Sequence, residues 1–123
     1  METVSDYMAR KHASLGDSYR HEDRRYADSC FIIAREVEKR LKAEGRNPQL
    51  FWLRGQICDN MKNRELIVPK INDGKIVWAV HVVAVADNLV FDPMIGEPVA
   101  VREYPRIAFE GNPEMLPVPY RFD

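Results

Sequence analysis

Apolar residues recur along this chain at two spacings, and the change between them divides it. In "DSCFIIAREVEKRLKAEG", residues 28 to 45, Cys30, Ala34, Val37 and Leu41 stand four, three and four positions apart. That is one face of an α-helix. Ile33 widens the stripe, while Glu36, Lys39, Arg40 and Lys42 take the outer side. Asp28 or Ser29 offers a side-chain oxygen to the first free amides, and Gly45 can close the helix in a left-handed turn. The pattern therefore predicts a helix with Cys30 in its first turn. Upstream, Val4, Met8, Leu15 and Tyr19 are more weakly spaced. They predict one helix, or two short ones interrupted at Gly16.

Beyond residue 48 the period shortens. "QLFWLRGQI" (49 to 57) reads as a strand rich in aromatic and branched residues. "CDNMKNRE" (58 to 65) reads as a polar loop. "LIVP" extends a strand as far as Pro69, and "NDG" (72 to 74) is a turn signal. "KIVWAVHVVAVA" (75 to 86) is almost continuously apolar, as expected of a central strand. Asp87 and Asn88 fit a two-residue hairpin turn, and "LVFDP" (89 to 93) is the returning strand. The last thirty residues hold most of the 8 prolines. They are expected to wrap the surface, with one strand near "PRIAFE" (105 to 110). No repeat, low-complexity segment or domain boundary interrupts the order. It predicts a single α+β domain over 1–123, with the cysteine-bearing helix packed on an antiparallel sheet.

Composition narrows the function classes. The 123 residues suit one domain with one core. Apolar residues are 46% and charged residues 30%, and no apolar run is long enough to span a bilayer. "METVSDYMARKH" lacks the basic start and apolar stretch of a signal peptide. A cytoplasmic protein, or one delivered without a cleaved signal, is the expectation. A formal net charge of -1 favours neither nucleic acid nor an anionic membrane as partner. The basic cluster of His21, Arg24 and Arg25 is diluted by Glu22 and Asp23. Cys30 and Cys58 are too few for a disulfide framework and read as free thiols. The scattered His12, His21 and His81 give no metal-ligand spacing, so neither metal nor cofactor is expected.

Three residues carry candidate chemistry. An N-terminal helix turn lowers the pKa of a thiol placed in it, and its free amides can hold an oxyanion. Cys30 suits that role, although a cysteine is as often a small core residue. His81 interrupts the apolar "WAVHVVAV", where an imidazole needs a partner to be buried. Asp92 stands in "VFDP". If Asp87 and Asn88 form the turn, Ala86 pairs with Leu89 and Val83 with Asp92, which puts Asp92 on the face of His81 and diagonal to it. A carboxylate so placed fixes the tautomer of the imidazole and supports its positive charge. Trp78 falls on the opposite face. With Cys30, the parts of a nucleophile, its base and the base's orienter are present.

The order of cysteine opening a helix, histidine inside a strand and aspartate on the next strand resembles the papain-like and transglutaminase-like cysteine hydrolases. The likeness is nearest to protein-glutamine glutaminases and papain-fold deamidase toxins. It rests on "SCFIIAREVEKRLKAEG", "LFWLRG", "WAVHVVAV" and "VFDPMI", roughly residues 28 to 95. "HVVAVADNLVFDP" is also similar to the His-to-Asp segment of bacteriocin-processing peptidases. The resemblance implies a papain-like core with Cys30 as nucleophile, His81 as general base and Asp92 as orienter. It further implies a protein or peptide substrate, with deamidation of glutamine side chains favoured over peptide cleavage or transglutamination. A bacterial effector, toxin domain or phage-type protein fits by analogy, with a partner protein as a further expectation. The sequence departs from the papain pattern at position 24, where the peptidases' oxyanion glutamine is replaced by Arg24; this leaves the Cys30 amide as the one assigned donor. The rival from another class is a non-catalytic binding module contacting its partner through Phe51, Trp52 and the proline-rich tail.

Overall fold

The computed structural model describes residues 2–20, 25–54, 67, 70, 80–111 and 113–118, without the side chains of 15–20, 25–30, 54 and 80. The elements follow in the order α1 (Val4–Arg20), α2 (Arg25–Ala43), β1 (Gln49–Arg54), β2 (Val80–Ala86), β3 (Leu89–Phe91), β4 (Val99–Ala100), α3 (Tyr104–Ala108) and β5 (Glu114–Pro117). The five described strands form one antiparallel sheet in the order β4-β3-β2-β1-β5. The class is α+β, with α2 packed on β2 and β1, and α1 packed on α2. Among the described residues no helix is long and apolar enough to cross a membrane.

α1 continues unbroken through Gly16. A glycine inside a helix costs about 1 kcal/mol relative to alanine. Burial of Val4, Tyr7 and Met8 against Val37 and Leu41 of α2 outweighs that. The start of α1 is also tied down. Thr3 Oγ1 accepts from the Asp6 amide at 3.1 Å, and the Glu44 carboxylate accepts from the Val4 amide at 2.7 Å. Arg40 lies over the Tyr7 ring, 4.5 Å from its centroid, fastening the two helices on their outer side.

α2 begins at Arg25, so Cys30 is its sixth residue and not part of its first turn. Arg25, Tyr26 and Ala27 contain no helix breaker, and extending a helix backwards is easier than starting it at a cap. The other end matches the sequence expectation. Gly45 has φ of 82°, its amide donates to Lys42, and the Arg46 amide donates to Leu41. These are the paired bonds of a glycine-closed helix terminus.

The β2–β3 hairpin turns at Asp87 and Asn88, with φ of 55° and 63°. Both are left-handed, which matches the right-handed twist of the flanking strands. Ala86 pairs with Leu89, Val85 with Val90 and Ala84 with Phe91, the register expected from a two-residue turn. β3 stops at Phe91, because the Asp92 carbonyl accepts from the amides of Ile95 and Gly96 and folds the chain into a turn. The strand expected over 105–110 is instead α3, followed by Phe109 in extended conformation. Pro105 decides this. Its fixed φ and missing amide suit the first turn of a helix and disqualify it from a paired strand. β4 and β5 arise in segments expected only to wrap the surface. The segments 58–65 and 72–74, and with them Cys58, lie outside the described residues, as does Trp78. Of "LIVP" only Ile67 is described, and it is buried.

Strand alternation sorts β2 onto two faces. Val82, Ala84 and Ala86 share one with Trp52 and Leu50; His81, Val83 and Val85 share the other with Leu53 and Phe51. Ala84, Ala86 and Phe91 cluster with Val37 and Leu41 of α2 and with α1. Ile33 and Ala34, one turn earlier on α2, belong to the cluster that holds Val82, Val83, Leu53, Tyr104 and Phe109.

Candidate functional site

β2 brings His81 into the sheet interior, where its ring is fully buried, and the turn after β3 brings Asp92 to it. His81 Nε2 lies 3.0 Å from Asp92 Oδ2. The diagonal placement that the hairpin register implied is therefore present as a direct hydrogen bond. Asp92 folds back on its own loop, where Oδ1 accepts from the Met94 amide at 2.9 Å. This local bond is the habit of aspartate at a turn, and here it also fixes which way the carboxylate points.

A third donor comes from a residue that sequence reading did not single out. The Tyr104 hydroxyl, at the start of α3, donates to Asp92 Oδ2. Phe109, just beyond α3, covers the imidazole with its ring centroid 5.7 Å from that of His81. Tyr104 and Phe109 also meet edge to face, at 6.3 Å. Neither carries a local sequence signal. They reach the site only because α3 folds as a helix, where "PRIAFE" had read as a strand.

The arrangement fixes the chemistry of the ring. Asp92 accepts from Tyr104 and from the Met94 amide, and its Oδ2 lies against His81 Nε2. An ionised carboxylate has only acceptor sites, so the hydrogen on Nε2 belongs to His81. The lone pair of the neutral imidazole then lies on Nδ1, and that nitrogen is the one able to take a proton.

Cys30 lies in α2 on the helical register of Ala34, Val37 and Leu41, and its side chain lies outside the described residues. α2 runs along β2 in the same direction. Its Val37 and Leu41 cluster with Ala84 and Ala86, while Ile33 and Ala34 cluster with Val82. One helical turn back from Ala34 is about 6 Å, close to two strand residues back from Val82. By this register the α2 backbone at Cys30 falls at the level of Val80, where β2 begins. Val37 and Leu41 of α2 pack on the alternation face of β2 that holds Ala84 and Ala86, opposite the face of His81, and not over the histidine face as the sequence order had suggested.

One part of the sequence reading is corrected. As the sixth residue of α2, Cys30 has its amide inside the helical ladder, past the free amides of the helix start. The argument that a first-turn position lowers the thiol pKa does not apply, nor does assignment of that amide as oxyanion donor. Among the described residues no group of three or more His, Cys, Asp or Glu side chains could hold a metal ion. Set against models of protein families, curated proteins and solved structures, the chain matches none of them.

Proposed function

We propose that this protein is a cysteine-dependent amide hydrolase of papain-like type that deamidates glutamine side chains in proteins. The observation that carries the reading is the His81–Asp92 bond, made through Nε2. It leaves Nδ1 as the basic nitrogen, and the helical register of α2 carries Cys30 to the level where β2 begins. The thiol gives its proton to Nδ1, and the thiolate attacks the carboxamide carbon. The protonated His81 then donates to the leaving nitrogen, so that the C–N bond breaks and ammonia departs. Water, deprotonated by His81, cleaves the thioester to yield glutamate and the free thiol. Asp92 holds the ring and offsets the imidazolium charge throughout. With a main-chain amine as leaving group the same steps cleave a peptide, and with an amine replacing water they cross-link.

The test is the intact mass of candidate proteins incubated with the wild type and with Cys30→Ala. A gain of about one dalton per site, present only with the wild type, is the expected result for a thiol nucleophile acting on glutamine. Equal masses with both enzymes, together with alkylation of Cys30 no faster than that of Cys58, would remove the proposal.

A second reading rests on burial. His81 is 0% and Asp92 1% exposed, and a histidine, an aspartate and a tyrosine satisfying one another is also how a core accommodates polar groups. In that reading the protein is a binding module. Substitution at His81 then alters stability and leaves the reactivity of Cys30 unchanged.

A further inference from the structure

We infer that Tyr104 is a positioning residue of the proposed site, holding the Asp92 carboxylate in the orientation that keeps the His81 proton on Nε2. The inference rests on the function proposed above and extends it beyond residues 28 to 95, the stretch that resembles cysteine hydrolases. The Met94 amide holds Oδ1, and Oδ2 is the oxygen that faces the imidazole. The Tyr104 hydroxyl donates to that same oxygen and so holds it towards His81. Tyr104 is itself fully buried. Its ring is set edge to face against Phe109, and Phe109 lies over His81. α3 therefore supplies both the anchor of the acid and the cover of the base. The Tyr104 bond to the His81–Asp92 pair brings the C-terminal part of the chain into the cluster.

The experiment compares the full chain, labelled with ¹⁵N-histidine, with its Tyr104→Phe variant. In the wild type the His81 nitrogens are expected to show the tautomer protonated at Nε2. In the variant the two ¹⁵N shifts should move towards each other as that tautomer loses its hold. Alkylation of Cys30 by iodoacetamide, measured against Cys58, should slow about fivefold to tenfold, the weight of one hydrogen bond. Unchanged ¹⁵N shifts in a folded variant would overturn the assignment. If Tyr104→Phe does not fold, fluorotyrosine placed at position 104 keeps the ring and strengthens the donor. It should move the His81 Nε2 proton signal, and an unmoved signal would be equally decisive against Tyr104. The two claims fail separately. Wild-type Cys30 reacting no faster than Cys58 counts against the hydrolase, while the imidazole shifts still report on Tyr104.

Discussion

Replacing Asp92 by alanine removes the acceptor that, among the described residues, the Met94 amide, the Tyr104 hydroxyl and His81 Nε2 share. Asp92 is 1% exposed, and His81 and Tyr104 are both 0% exposed, so bulk water does not stand in for the lost carboxylate. A buried donor left unmet costs about 1–3 kcal/mol. The hydroxyl can rotate and the imidazole can change tautomer, whereas the backbone amide can do neither. Release from burying a carboxylate offsets part of the loss, and the unmet donors leave a net cost of about 2–4 kcal/mol. That is a large share of the roughly 6–18 kcal/mol expected for a chain of this length. Asp92→Asn separates stability from chemistry. Its amide oxygen can still accept from Met94, and the Tyr104 hydroxyl can turn to accept from its NH₂. His81, facing that same NH₂, must offer a lone pair at Nε2 and carry its proton on Nδ1. The asparagine variant should therefore lose only about 1–2 kcal/mol in urea unfolding. Its Cys30 should nonetheless react with iodoacetamide as slowly as in the alanine variant. Asparagine costing as much as alanine, or keeping wild-type thiol reactivity, would refute the reasoning.

Two further substitutions test the scaffold. Gly96 has φ of 92°, and an added Cβ would sit 3.0 Å from His12 Cγ, so Gly96→Ala should cost about 1–3 kcal/mol by thermal or urea unfolding. In a His12→Ala background the steric part should disappear and the backbone part remain. Asn88→Val forces a branched residue to φ of 63° in the hairpin turn and should cost about 1–2 kcal/mol in urea unfolding, with no change in the His81 ¹⁵N shifts.

The hairpin was legible because its determinants are local. Two turn residues and an alternating pattern fixed the register from Ala86 and Leu89 outward, and that register carried Asp92 to the side of His81. The stripe from Ala34 to Leu41 was legible for the same reason. Its N-terminal limit was not, since Asp28 and Ser29 favour a cap by an amount that three permissive residues upstream can outweigh. That error mattered, because the electrostatic case for Cys30 rested on where the helix starts. α3 was misread because "RIAF" has strand composition, while Pro105 carries the contrary signal. Tyr104 was invisible, because its bond to Asp92 spans twelve residues and depends on α3 docking.

Alternation along β2 also explains why a core and a chemical site can share one strand. The small Ala84 and Ala86 let α2 approach closely and form the apolar contact with Val37 and Leu41. The intervening residues face the other way, and there His81 meets Asp92, Tyr104 and Phe109. α2 and the His81 ring thus lie on opposite faces of β2, and the proposed function needs the thiol of Cys30 to reach the ring around the beginning of that strand. The proposed hydrolysis would require more than the three residues. With His81 fully buried, a protein substrate would be admitted only when part of the cover yields. α3 is the part whose movement would release Asp92 and uncover His81 together, so opening the site through α3 would also loosen its base. On the proposed function, a substrate-bound state that keeps Tyr104 on Asp92 would have to open elsewhere than at α3.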